Sequence, residues 1–179
     1  MDHADHVALI RAGVEGAGPR WLELGAGRGA FTLALVEVIG DRADVVAIDR
    51  DGAALGSLEG DVRHRFPGAS VRTVVGDFTR PLPVEPASFD GLLMANSLHF
   101  VRDKQPVLHE AIEALRPGGR FVIVEYDSDR GNPWVPWAIS YGSWTELAAH
   151  VGLNDTRMSG EVPSRFLGSI YAAVSQRDG

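Results

Sequence analysis

Trp21 to Leu35 reads WLELGAGRGAFTLAL, with glycine at 25, 27 and 29. Apart from Glu23, Trp21–Leu24 is apolar, the pattern of a strand buried on both faces. Ala30 to Ile39 carries apolar residues at helical spacing, and Gly40 stands where a C-cap glycine belongs. A strand therefore hands over to a helix through a loop bare of Cβ atoms. Such a loop takes positive φ and brings backbone amides close to a ligand at the partial positive charge of the helix N-terminus. One glycine satisfies a tight turn; three alternate glycines in this context point to a bound cofactor.

Working outward, short apolar or β-branched runs recur at Val45–Ile48, Val71–Val75, Gly91–Met94 and Phe121–Val124. Between them, Ala53–Arg65 and Pro106–Leu115 read as helices, with Asp103 as an N-cap and Arg116-Pro117-Gly118-Gly119 ending the second and turning the chain. This alternation predicts a parallel sheet covered on both faces. Residues 127–142 read as an irregular loop, and Ser143–His150 as a helix whose capping box is Ser143 with Glu146. Thr156–Ser159 and Ser169–Val174 read as two strands forming a final antiparallel hairpin.

Composition excludes several functions. The net charge of -7, with Lys104 the only lysine, argues against a phosphate-backbone partner, so no nucleic acid is expected. Cysteine is absent, which removes disulfides, thiolate metal sites and a thiol nucleophile. Met1–Ile10 lacks the pattern of a signal peptide, and no stretch reaches the ~20 apolar residues of a membrane helix. The expectation is a soluble cytoplasmic protein of one domain, residues 1–179, without membrane attachment. His3 and His6 share a spacing of three but lack a further ligand, so no metal is expected.

The glycines alone do not choose the cofactor, because Gly25-Ala26-Gly27-Arg28-Gly29-Ala30 also fits the dinucleotide pattern G-x-G-x-x-G/A. Asp49, at the end of the second strand, suits ribose hydroxyls in either class of site. Its alternative role is an N-cap before Gly52. Glu23 could instead bind loop amides, and Asp77 could cap the turn at Thr79. An NAD(P)-dependent oxidoreductase thus stays open, although no Tyr-x-x-x-Lys pair exists.

Three further stretches carry a resemblance: ELGAGRG from Glu23, VVGDFTRPLP around Asp77, and FDGLLMANSLHFVRD followed by LHEAIEALRPGGRFVIVEYD. In this order, over about residues 20 to 127, they resemble the class I S-adenosylmethionine-dependent methyltransferases. The resemblance implies a Rossmann-like three-layer α/β sandwich with a mostly parallel seven-stranded sheet ending in an antiparallel hairpin. It implies S-adenosylmethionine as cofactor, with S-adenosylhomocysteine as product. Gly25, Ala26 and Gly27 would then cradle it, Asp49 would take the ribose, Asp77 the adenine amino group and Phe78 the ring side. The Asn96 backbone would face the methionine part. Arg50 departs from the apolar residue common after the ribose acid and could stack on adenine. The physical reading agrees: Glu23, Asp49 and Asp77 would place three carboxylates near strand ends, which suits a cationic ligand and not a diphosphate.

Methyl transfer needs alignment more than acid–base groups, so the substrate is less legible than the cofactor. Imidazole exchanges protons near neutral pH, which makes His99 the candidate base, with Tyr126 and Glu125 in the same region; packing is the alternative for each. Trp134, Trp137, Tyr141 and Trp144 form either an aromatic lid over a small-molecule acceptor or an anchor for the loop. The acceptor would be held by the N-terminal segment, this loop, or a second subunit of a homodimer. A non-catalytic adenosyl-ligand-binding module would keep all of these motifs.

Overall fold

The computed structural model describes residues 1–164 and 166–179. The strands are β1 (Arg20–Leu24), β2 (Asp44–Asp49), β3 (Ser70–Val75), β4 (Phe89–Ala95), β5 (Leu115–Tyr126), β6 (Leu153–Pro163) and β7 (Ser169–Arg177). The helices are α1 (His3–Val14), α2 (Ala30–Ile39), α3 (Gly52–Arg65), α4 (Lys104–Ala114) and α5 (Tyr141–His150), with a 3-10 turn at Leu98–Phe100. All seven strands form one sheet in the order β3-β2-β1-β4-β5-β7-β6. Strands β1 to β5 are mutually parallel, whereas β7 runs antiparallel to both β5 and β6. The expected final hairpin is present, with β7 inserted between β5 and β6.

The nearly uniform apolarity of the central strands is explained by helices on both faces. On one face Leu22, Leu92 and Ile123 pack with Leu108 and Ala111 of α4 and Trp144 of α5. On the other, Trp21, Leu93 and Val122 pack with Ile10 of α1 and Phe31 and Leu35 of α2, while α3 adds Leu55 and Leu58. Among the described residues, no helix is long and apolar enough to cross a membrane.

Three local expectations are corrected, and a fourth, Asp103, holds in position. Helix α1 was not assigned from the sequence, yet Asp2 and Asp5 form a reciprocal capping box and Val7, Ile10 and Val14 bury one face of it. Helix α5 starts at Tyr141 because Ser140, not Ser143, is the cap: Ser140 Oγ accepts from the Ser143 amide at 3.2 Å. Arg116–Gly119 does not separate helix from strand. It belongs to β5, as an irregularity opposite Phe89–Gly91 of β4, where the Arg116 guanidinium pairs with the buried Asp90. Asp103 occupies the N-cap position of α4 without a side-chain hydrogen bond.

Candidate functional site

The strand order reverses between β2 and β4 on either side of β1, and open α/β sheets place ligands at such a point, beyond the carboxyl ends of the strands. The loop after β1 is fastened there by its own backbone. The amides of Gly25 and Ala26 donate to the Ile48 carbonyl at 2.8 and 3.2 Å. Gly25 has φ +83°, and a Cβ on it would lie 2.4 Å from Ser97 Cβ, so glycine is required twice over. A Cβ on Gly27 would meet nothing within 4 Å. That position faces open space, and any side chain would occupy it.

Asp49 supports the loop. Its Oδ2 accepts from the Gly27 amide at 2.7 Å and its Oδ1 from the Asp51 amide at 2.8 Å. Asp51 is the N-cap of α3, accepting from Ala53 and Ala54, so the alternative capping role for Asp49 falls away. A carboxylate has about four acceptor sites, and two remain on Asp49 for a ligand.

A cleft of about 580 Å³ opens beside this loop, walled by Gly25, Gly27, Asp49, Arg50, Asp77, Phe78 and Asn96 among others. Seven of the residues expected to hold a cofactor are thereby brought together. Phe100 closes the far end. Arg28, Arg50, Asp49, Asp51 and Asp77 all share its lining. Glu23, Ala26, His99 and Tyr126 are not on this wall.

Glu23 lies behind the glycine loop, 2% exposed, where Thr32 Oγ1 of α2 donates to its Oε2 at 2.5 Å. Burial, and then the nearby charge of Asp49, push its carboxyl up to about 7 against the opposing hydrogen bond from Thr32. Asp77 does cap its turn: Oδ1 accepts from the Thr79 amide at 2.9 Å and from Thr79 Oγ1 at 2.7 Å. Those bonds hold its carboxyl below the usual range, so it is ionised at neutral pH and its Oδ2 stays available. Asn96 has φ +51°, and its Oδ1 is enclosed without a hydrogen-bond partner.

On the other side of Phe100, His99 is 3% exposed. Its Nδ1 lies 2.7 Å from Glu125 Oε2, and its backbone amide donates to Glu125 Oε1 at 3.2 Å. The Tyr126 ring stands edge-on to His99 at 6.1 Å, and burial raises its phenol, which favours the protonated form. The aromatic cluster expected in the irregular segment is split. Trp144 is core, 5.4 Å from Phe121, and Tyr141 packs on Tyr171. Trp134 and Trp137 are exposed. Phe166, passed over in the sequence because it lies on another connection, joins Trp134 at 6.0 Å and Tyr126 at 5.8 Å. The histidines near the N-terminus have other partners, His3 with Glu37 and His6 with Phe31.

A family model described as "Methyltransferase domain" matches residues 22–123, from β1 into β5. The chain belongs to the class I S-adenosylmethionine-dependent methyltransferases. A demethylmenaquinone methyltransferase of Beutenbergia cavernae is 34% identical over 142 residues, covering 76% of this chain and 54% of that protein. A ubiquinone/menaquinone biosynthesis C-methyltransferase of Idiomarina loihiensis is 31% identical over 109 residues, 61% of this chain and 43% of its own length. This methyltransferase chain thus spans about half the length of the curated relatives it matches. In fold it is similar to the YcgJ protein of Bacillus subtilis, with a TM-score of 0.78 at 15% identity, covering 97% of this chain and 98% of that one.

The acceptors around the cleft fit an adenosyl sulfonium. A glycine whose Cβ would project into open space, an acid with spare acceptor sites and an ionised acid at the β3 end line one cleft. Each offers acceptors or bare backbone, and none demands a diphosphate.

Proposed function

We propose that this chain transfers a methyl group from S-adenosylmethionine to a small-molecule acceptor, leaving S-adenosylhomocysteine. The cofactor supplies a methyl group on a positively charged sulfur, which a nucleophile attacks in line. The observation that carries the reading is Asp49, which braces the glycine loop through Gly27 while its remaining acceptor sites face the cleft. In this reading Gly25, Ala26 and Gly27 line the amino-acid and ribose side, and Asp49 binds the ribose diol. Asp77 meets the adenine amino group, Phe78 and Arg50 flank the ring, and Asn96 meets the methionine part. Glu23 acts from behind, holding α2, through Thr32, to the strand that carries the loop.

The relatives are named for quinone biosynthesis, one as a C-methyltransferase, which supports a planar acceptor methylated on carbon. The exposed rings of Phe100, Trp134 and Phe166 beyond the cleft suit such a ligand. His99 serves as base there and Tyr126 as a protonated neighbour. The proposal takes residues 1–179 as one domain acting in the cytoplasm, and the single sheet spanning β1 to β7 supports the former.

Calorimetry with S-adenosylhomocysteine and NADH separates the two cofactor classes, and transfer of tritiated methyl to the small-molecule fraction of a cell extract separates enzyme from binding module. Affinity for the nucleoside with no label transferred would leave the binding module; affinity for NADH alone would favour the oxidoreductase.

A further inference from the structure

Glu125 is 0% exposed, at the end of β5 on the strand face that also carries Phe121 and Ile123, both members of the apolar core around Trp144. A carboxylate there interrupts an apolar run, and burying one costs several kcal/mol unless it is paired. Packing alone calls for an aliphatic side chain at this position.

Both oxygens of Glu125 are committed to one residue: Oε1 accepts from the His99 amide and Oε2 meets His99 Nδ1. Two contacts from one carboxylate fix both the place and the tilt of the imidazole. The Lys104 ammonium is bound elsewhere, its Nζ donating to the Val101 and Trp137 carbonyls at 2.9 and 2.8 Å. With the His99 amide donating to Oε1, Oε2 stands 2.7 Å from Nδ1 as the acceptor for an imidazole N–H. Nδ1 then carries the imidazole proton, which leaves a lone pair on Nε2.

Nε2 has no hydrogen-bond partner among the described residues. The enclosed side-chain atoms without partners there are Asn96 Oδ1 and Trp144 Nε1, and Nε2 is not one of them. It sits in a ring 4.3 Å from that of Phe100, which walls the cleft.

We propose that Glu125 is the positioning residue for His99, fixing the imidazole so that Nε2 accepts the proton of an acceptor bearing a weakly acidic O–H or C–H, such as a phenol, an enol or an activated ring carbon. The inference rests on the methyl-transfer reading and adds the proton's destination to it. As the acceptor's proton moves to Nε2, its bonding pair forms the new bond to the methyl group, and the pair of the old sulfur–carbon bond stays on sulfur. The imidazolium so formed is stabilised by the carboxylate behind it, the arrangement by which a buried acid supports a histidine base.

The test combines two readouts on the full chain with S-adenosylhomocysteine or S-adenosylmethionine. Nitrogen-15 spectra of the S-adenosylhomocysteine complex should show neutral His99 protonated on Nδ1 and bare on Nε2; a neutral ring with its proton on Nε2 overturns the proposal without any variant having to fold. In tritiated-methyl transfer to the extract fraction, Glu125→Gln should lower the single-turnover rate at least tenfold and move its rise with pH toward acid, with nucleoside affinity changed less than twofold. His99→Gln should lose the same rate without further loss in the double variant. A Glu125→Gln rate and pH profile equal to wild type would reduce the pair to packing. Absence of nucleoside binding by the wild-type chain, or of any transfer, would instead bring down the methyl-transfer reading beneath it.

Discussion

Between Gly25 and Asp51 the cleft is walled by backbone fastened to backbone, with Asp49 as the brace. From His99 to Trp137 its surroundings are rings and long side chains drawn from separate segments. On the second side, Trp137 is held by His99 and Lys104: its amide donates to the His99 carbonyl at 3.0 Å, and Lys104 Nζ donates to its carbonyl at 2.8 Å. Arg102 lies over its ring at 5.1 Å. In the proposed reading the first region, held by backbone hydrogen bonds, serves the cofactor, and the second, a set of side chains, is suited to vary with the acceptor. A scaffold that fixes its cofactor by backbone geometry leaves side chains free for specificity.

That contrast breaks most severely at Gly25. Gly25→Ala places a Cβ against Ser97 at positive φ, which should cost roughly 2 to 5 kcal/mol of stability and abolish nucleoside binding. Denaturant midpoints and calorimetry measure both, and a variant that still binds within tenfold would show the loop to be less constrained.

Glu23 comes next. Its folded carboxyl stands at about 7 against 4.5 for the free group. The folded chain therefore binds the proton more tightly, and this contribution is complete below about 4.5 and lost as pH rises through about 7. The difference corresponds to roughly 3 kcal/mol. Urea midpoints of the ligand-free protein should fall between pH 5 and pH 8, and Glu23→Gln should flatten that slope. An equal slope in the variant would assign the pH dependence elsewhere.

Asp49→Ala should weaken S-adenosylhomocysteine by about 1.5 to 3 kcal/mol, because ligand hydrogen bonds to a charged acceptor and the loop brace are lost together. The smallest effect sharpens the other side. Trp134 is 70% exposed, so Trp134→Ala should change stability by less than about 0.5 kcal/mol and leave nucleoside affinity intact, while raising the KM for the acceptor. A cofactor affinity that fell with it would join the two regions into one.

The same contrast explains what could be read from the chain beforehand. The glycine loop, Asp49 and the strand alternation rest on local chemistry, where spacing, φ and hydrophobic period are set by neighbours in sequence, and they were legible. So was the clustering of Arg50, Asp77, Phe78 and Asn96 at strand ends, because parallel strands bring their carboxyl ends to one edge. Helix α1 was less legible, although Asp2, Asp5 and the Val7–Ile10–Val14 face signal it, because its apolar face is defined by distant partners, α2 and β6. Glu23 looked like a rim acid but turns back toward Thr32, a long-range choice of face that strand position alone does not settle. The pairing of His99 with Glu125, 26 residues apart, depends on β4 lying beside β5. Likewise Phe166 reaches Trp134 only through the late connection between β6 and β7.

The central claim is that this cleft recognises an adenosyl sulfur nucleoside through Asp49. Calorimetric titration of the wild-type chain and Asp49→Ala with S-adenosylhomocysteine tests it most directly. The account predicts one-to-one binding by the wild type and an affinity lowered at least tenfold in the variant. Equal affinities, or heat with NADH and none with the nucleoside, would contradict it.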